Sequence, residues 1–458
     1  MEPRQGSMSP VQKLINQDLY NKLYDAAELT KSEPFARVIA HYDGDGTSAA
    51  IVMLKTLLRL KKRVHLTYIK SLLGEDFRNV VMEYPDSLTI VVDAGSDQAQ
   101  FVPELEKLII LDHHFYKPSP AKAMNINARD FGIDGTRGAC GSTMAMIFSL
   151  VCSERNSDLV PYFISGMIAD KQDLGGISGL NKLLLDEYSN LFSNERSISL
   201  EGETLLDSLV YSTDPFFNGI TGKPEGAKKI LEECHLGYDQ SPSSMNEEQK
   251  RILEKKLAGQ LISQKCGLEA IKYLESDMMR FKDLEFTSKE LSSIIDGNAR
   301  VGKNSVAVQY FLGDRALKGE MLAAWKTYKT RLIDYVYRTM KEIGNMSHLQ
   351  YFYSPESEMA GKISDLLMLY MVDQNKPIIG FNVGDKTTKL SARGTIKLVK
   401  KGLNLSSILK SACEQVGGSG GGHDVAAGGV IPKGKEKEFV ELVNRILKEQ
   451  GKPESDSQ

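Results

Sequence analysis

The chain has 458 residues, 41% hydrophobic and 26% charged, which suits two or three domains with real cores and excludes a disordered polyelectrolyte. A formal net charge of −3 excludes a protein that grips polyanions with its whole surface. No run approaches the roughly 18–20 apolar residues of a membrane helix and no charged-then-apolar signal pattern opens the chain, so a cytoplasmic protein with no membrane partner is expected.

Residues 9–195 read as an α/β domain. The runs RVIA (37–40), VHLTYI (64–69), LTIVV (88–92) and LIIL (108–111) alternate with helix-length segments such as TSAAIVMLKTLLRLKK. That alternation predicts right-handed βαβ units and a parallel sheet. Three of the four runs end in chemistry: Ala40 leads into His41, Asp43 and Asp45, Val92 into Asp93, and Leu111 into Asp112, His113 and His114. Ligands of open α/β sheets bind beyond the carboxyl ends of the strands, so these side chains are expected at one crevice.

Residues 196–295 read as a mostly helical insert. It contains a capping-box pattern from Ser244 to Glu247, followed by Leu253, Leu257 and Leu261 at helical spacing. A linking segment, 296–345, carries a long helix over about 316–343. Its stripe of Trp325, Tyr328, Leu332, Val336, Met340 and Ile343 stops at Gly344. Residues 346–452 have strand-like runs around a helix and read as a small α/β domain; the closing GKPESDSQ reads as a disordered tail. Five scattered cysteines, Cys140, Cys152, Cys234, Cys266 and Cys413, form no C-x-x-C pair, so buried thiols are expected.

The stretch HYDGDG offers one imidazole and two carboxylates within five positions. Alternate residues at a strand end point the same way, so His41, Asp43 and Asp45 can face one point, joined by Asp93 and His113 from neighbouring strand ends. A mixed His/Asp set suits Mn2+ better than Ca2+ or structural zinc. Four carboxylates, counting Asp170, offset the charge of two divalent ions, as in two-metal phosphoryl transfer. Each motif alone has a plainer reading. D-x-D-G is a common turn, Asp93 a helix cap, and Asp170 a helix terminus with Asp173 as competitor. Their joint order at three strand ends favours a site. The basic run Lys386, Lys389, Arg393, Lys397, Lys400 and Lys401 contains no acid and is either a solvated strand pair or a local phosphate-tracking patch.

The stretches AHYDGDGTSAA, VVDAGS, LDHH and GMIAD, in that order, resemble the four N-terminal motifs of the DHH phosphoesterase superfamily. GGSGGGHDVAAGG (417–429) resembles the glycine-rich signature of the DHH-associated C-terminal domain. The resemblance implies a two-Mn2+ centre, with Mg2+ or Co2+ as alternatives, held by His41, Asp43, Asp45, Asp93, His113 and Asp170. It implies catalytic roles for Asp45, for His114 at the scissile phosphate, for Asp112 orienting the histidines, and for His423. Gly421, Gly422 and His423 would hold a phosphate from the C-terminal domain. IIDGNARVGKNSVAVQYFLGD and LSARG resemble RecJ-type segments, which adds Arg300, Ser391 and Arg393 as substrate-binding positions.

The fold implied is an N-terminal parallel-sheet DHH domain with a helical insert, a long connecting helix and a small α/β DHH-associated domain. Without room for an extra oligonucleotide-binding barrel, the chain is most similar to archaeal RecJ-like proteins, including the GINS-associated nuclease group. The expected activity is a Mn2+-dependent, single-strand-specific exonuclease in DNA replication or repair, 5′ to 3′ on DNA, releasing mononucleotides. The expected partners are single-stranded DNA or RNA, with the GINS replisome complex bound through the insert. Two rivals are an oligoribonucleotide or small-nucleotide phosphodiesterase of the nanoRNase type, and a replisome scaffold.

Overall fold

The computed structural model describes residues 9–70 and 74–450; the tail expected over 451–458 lies outside the described residues. The chain forms two compact units. One combines the residues up to Glu195 with Met278–Tyr328, and the other combines Arg196–Asp277 with the residues from Lys329 onward.

The first unit is built on a five-stranded sheet in which β1 (Phe35–His41), β2 (Arg63–Ile69), β3 (Leu88–Val92), β4 (Leu108–Asp112) and β5 (Met124–Asn127) stand in the order β2-β1-β3-β4-β5. All four pairings are parallel. Strands β3 and β4 are buried along their whole length, as their unbroken apolar runs require. The four predicted strands are present within one or two residues. The edge strand β5 was not anticipated, because the sequence MNIN is short and half amide.

In this strand order the connections reverse direction between β1 and β3, which opens a crevice at the carboxyl ends of those two strands. The helix Gly44–Arg59 follows β1 and packs on the helices Gly141–Cys152 and Val160–Ala169. The Gly141 helix is buried from Gly141 through Leu150, so it is apolar on all sides rather than on one stripe. On the opposite side Phe77 and Val81 cover Ile39, Ile69, Val91 and Ile110.

The expected insert divides. Its last helix, Ser288–Arg300, packs on the Gly44 and Val160 helices of the first unit. Leu291, Ile294, Ile295 and Ala299 form its buried face, at the spacing of an amphipathic helix. The strands β6 (Phe192–Ile198) and β7 (Glu275–Phe281) pair where the chain passes between units. The remaining insert helices include Pro224–Glu233 and Glu247–Ser263. The capping box of the latter is made by Asn246 and Gln249, not by Ser244 and Glu247: Asn246 Oδ1 accepts from Gln249 N at 2.9 Å and Gln249 Oε1 from Asn246 N at 3.0 Å. Ser244 closes a preceding 3-10 turn. The long helix is Lys318–Lys341, with Trp325, Tyr328, Leu332 and Val336 of the expected stripe buried.

The second unit also holds a mixed six-stranded sheet, ordered β12-β13-β11-β10-β9-β8, from β8 (Gly344–Asn345), β9 (Gln350–Tyr353), β10 (Ile378–Val383), β11 (Thr387–Arg393), β12 (Ser419–Gly422) and β13 (Ala426–Pro432). Leu390 and Ala392 of β11 share a core with Ile408, Leu409, Cys413, Phe439 and Val443. The alternate residues Ser391 and Arg393 therefore face away from that core. Among the described residues no helix is long and apolar enough to cross a membrane. The expected buried thiols are free, with Cys140, Cys234 and Cys413 buried and Cys152 and Cys266 half-buried.

Candidate metal centre

His41 is the last residue of β1, and Asp43 caps the Gly44 helix by accepting from Gly46 N at 3.1 Å. Gly46 is required there, because a Cβ would stand 2.2 Å from the His41 carbonyl oxygen. Asp45 follows in the first turn and is 3% exposed. Its carboxylate accepts from Gly141 N at 2.6 Å and Ser142 N at 3.0 Å, at the positive end of a second helix. Asp93, also 3% exposed, leaves β3 in the left-handed region at φ 61°. Aspartate tolerates that conformation better than most residues, and it turns the carboxylate into the crevice.

His41 Nδ1 lies 3.0 Å from Asp43 Oδ2 and 3.5 Å from Asp93 Oδ2. His113 Nε2 lies 3.2 Å from Asp93 Oδ1 and 4.0 Å from Asp45 Oδ2. Asp93 thus presents one oxygen to each imidazole. The other nitrogen of His113, Nδ1, is 2.6 Å from the Gly135 carbonyl oxygen, which fixes Nδ1 as the donor and turns Nε2 toward the carboxylates. Ligand atoms of His41, Asp43 and Asp93 lie within 4.8 Å of one another, as do those of Asp45, His113 and Asp170. The six residues expected from sequence therefore stand as two groups of three, joined through Asp93.

The electrostatics fit a site for divalent cations. Burial opposes charge on His41, but the Asp43 and Asp93 carboxylates outweigh it and raise its pKa to about 10. Burial likewise opposes charge on His113, and Asp93 chiefly outweighs it, again to about 10. Burial, with the charges of Asp93 and Asp170, pushes Asp45 up to about 8. Burial, partly offset by His113, pushes Asp170 up to about 6. Asp93 runs the other way: burial opposes its ionisation, yet hydrogen bonds from His113 and His41 hold it low. Protons on the imidazoles thus supply the positive charge that such a carboxylate cluster demands.

Asp112 is buried and accepts from Ser96 N at 3.1 Å and from His113 N at 2.8 Å. Its Oδ1 also faces His114 Nδ1 at 2.8 Å. That contact raises the His114 pKa and leaves Nε2 facing outward from an exposed ring. Arg300 ends the Ser288 helix, donating to Asp296 Oδ1 at 3.1 Å and to the Tyr42 hydroxyl at 3.2 Å. It is placed beside the residue that separates His41 from Asp43.

The remaining expected positions lie in the second unit. Arg393 Nη1 donates to Ser391 Oγ at 3.1 Å, and its Nε to Asp365 Oδ1 at 2.5 Å. Arg393 stands opposite Ala426 in the β11–β13 register, and His423 N donates to the Ala426 carbonyl at 2.8 Å. Ser391, Arg393 and the β12–β13 turn holding His423 therefore meet at one end of the sheet. Gly422 has φ 140°, where a side chain would be strained, whereas a Cβ on Gly421 would meet open space. Gly420 and Gly429 serve packing, since a Cβ on either would fall within 2.9 Å of Cys413 Sγ.

Sequence reasoning missed the residues that shape the metal centre. A Cβ on Gly141 would lie 2.3 Å from the Asp93 Cβ, and one on Gly166 2.3 Å from Asp45 Oδ1. Gln172, Asn181 and Thr143 form a buried chain behind Asp170. The signals were the run of small residues opening GACGSTMAM and the glycine that opens GMIAD.

Fold and site together define a phosphoesterase class. A family model described as the DHH family, N-terminal domain, matches residues 36–170, and one described as the DHHA1 domain matches 348–449. The chain belongs to the DHH phosphoesterase superfamily, with a RecJ-like fold. A relative from Methanocaldococcus jannaschii, an uncharacterized protein, is 30% identical over 433 residues, covering 91% of this chain and 94% of its own. RecJ from Thermus thermophilus, solved with Mn2+, superposes with a TM-score of 0.57 at 17% identity over 93% of this chain. This chain spans 55% of the length of that RecJ. CDC45 from Entamoeba histolytica gives 0.56 at 13% identity, covering 94% of this chain and 98% of its own. At these identities the likeness to solved structures is one of fold.

Proposed function

We propose that the protein is a Mn2+-dependent exonuclease specific for single-stranded DNA, degrading it 5′ to 3′ to mononucleotides in replication or repair. The observation that carries this reading is Asp93, whose two oxygens face His113 and His41 and so join two ligand groups into one centre. Divalent ions held there would supply Lewis-acid stabilisation of a phosphoryl group and a more acidic water as nucleophile. His41, Asp43 and Asp93 would hold one ion, and Asp45, His113 and Asp170 the other. His114, whose pKa Asp112 raises, would in its protonated form donate from Nε2 to the non-bridging oxygens as charge develops. In the second unit, Arg393 and Ser391 offer a fork and a short hydroxyl donor to a terminal phosphate, with His423 and the backbone of Gly421 and Gly422 at the same sheet end. Arg300 donates to the backbone phosphate nearest Tyr42. Identity with an archaeal relative supports placing the chain among archaeal RecJ-like proteins.

The test is a time course on a single-stranded 30-mer, labelled in turn at each end, with Mn2+ and with the Asp45→Ala and His114→Ala variants. Mononucleotide release from the 5′ end, absent in both variants, is expected. An intact 30-mer beside cleaved dinucleotides would favour the nanoRNase-type reading instead. Arg393→Ala should raise KM for a 5′-phosphorylated strand about ten- to a hundredfold, from the ~1.5–3 kcal/mol of a charged hydrogen bond, with kcat much less affected. The same KM on phosphorylated and unphosphorylated strands would remove Arg393 from the anchor.

Exposed apolar residues on the insert, Ile252 and Ile262, support a second, compatible reading: binding of a GINS-type replisome complex through the insert. Substitutions on the exposed face of the helix Glu247–Ser263 should then abolish capture of that complex and spare hydrolysis. Unchanged capture would dismiss the insert as the docking element.

A further inference from the structure

Gln172 lies two residues beyond Asp170 and is 2% exposed. Its Nε2 donates to Asp170 Oδ2 at 2.8 Å, to the Ala139 carbonyl at 2.9 Å and to the Gly135 carbonyl at 3.2 Å. Its Oε1 accepts from Asn181 Nδ2 at 2.6 Å, and Asn181 Oδ1 accepts from Thr143 Oγ1 at 2.6 Å. Thr143 Oγ1 in turn accepts from Cys140 N at 3.0 Å and lies 3.1 Å from Cys140 Sγ, so the chain of polar groups continues to the start of the Gly141 helix.

The Ala139 and Gly135 carbonyls settle the Gln172 amide. Carbonyl oxygens only accept, so the end that faces them and Asp170 is Nε2, and Oε1 is left to accept from Asn181. The Gly135 carbonyl that receives Nε2 is also the partner of His113 Nδ1. One side chain therefore contacts both an Asp170 oxygen and the carbonyl that orients His113, the two ligands that share a group with Asp45.

We infer that Gln172 is the positioning residue of one metal subsite: it sets Asp170 and His113 for the ion they share with Asp45 and leaves the His41, Asp43 and Asp93 subsite untouched. The inference rests on the two-metal reading. Orienting partners of metal ligands are worth about 10- to 100-fold in metal affinity, and the loss here should fall on one ion alone.

Calorimetric titration of the metal-free full chain with MnCl2 tests this, using Gln172→Glu, Gln172→Met, Asp170→Asn and His41→Asn. Gln172→Glu keeps an acceptor for Asn181 and removes the donor that faces Asp170, Ala139 and Gly135, so it serves if Gln172→Met fails to fold. The expected result is two ions bound by the parent, and in both Gln172 variants one binding class weakened about 10- to 100-fold and the other within threefold. Their isotherms should match that of Asp170→Asn in form and differ from that of His41→Asn. Equal weakening of both classes together with a lowered Tm, or no change in either, overturns the assignment. A parent that binds fewer than two ions overturns the two-metal reading, and this assignment with it.

Discussion

Asp45 and Asp93 can approach one another only because the residues between them lack side chains. Gly141→Ala would drive a Cβ to within 2.3 Å of the Asp93 Cβ. Overpacking of this kind costs about 1–3 kcal/mol, a modest loss for a chain of this size. Its effect on function should be larger. The variant should fold with a slightly lower Tm yet lack the thermal stabilisation by Mn2+ that the proposed centre predicts for the parent. Full stabilisation by Mn2+ would show that the cluster can relax around an extra methyl. The same residues set a pH dependence. His41 and His113 have folded pKa values raised to about 10, so their contribution to the metal-free fold is complete below pH ~6.5 and is lost as pH rises through about 10. Asp45, raised to about 8, is an acid kept protonated by the fold, so it too favours the metal-free fold less as pH rises. Cations replace those protons, and metal affinity therefore increases with pH. The gap in Tm between Mn2+-loaded and metal-free protein should widen from pH 6 to pH 8, and a constant gap would contradict the charge balance described for the cluster.

At the scale of elements, the strands that carry the ligands were legible because burial on both faces leaves an unbroken apolar run, which few other structures require. Strand β5 was not, since Asn125 and Asn127 serve as hydrogen-bond partners for Ser96 rather than as core. The cap of the Glu247 helix was misplaced by two residues for a related reason. Ser244 and Asn246 are both competent caps, and the choice falls to Gln249, three positions after Asn246, which returns the reciprocal hydrogen bond. Asn246→Ala should lower the stability of the unit that holds this helix by about 1 kcal/mol, read from chemical denaturation, while Ser244→Ala stays within about 0.5 kcal/mol, the usual range for a surface change. The reverse ranking would restore the cap expected from sequence.

At the scale of the whole chain, motif order carried more than any motif alone. His41, Asp43, Asp93 and His113 were readable because each ends a strand or starts the turn after it, and parallel topology sends all strand ends to one side. Asp170 needed the motif resemblance, since it ends a helix far along the sequence and only the packing of the Val160 helix on the Gly44 helix brings it to Asp45. Gly141 and Gln172 left no such trace, and Gly166 showed only as the first residue of GMIAD: a glycine that makes room and an amide that orients a neighbour have no period and no spacing. The return of the chain to the first unit at Met278 was equally hidden, because the Ser288 helix has the same amphipathic pattern whichever unit it covers.

The proposed function requires two cations that share Asp93. Crystals of the protein soaked in MnCl2 and measured near the manganese absorption edge would test it most directly. The expected anomalous map has two peaks about 3.5–4 Å apart, one against His41 and Asp43, one against Asp45, His113 and Asp170, with an Asp93 oxygen toward each. A single peak, or two peaks that do not share Asp93, would contradict the account.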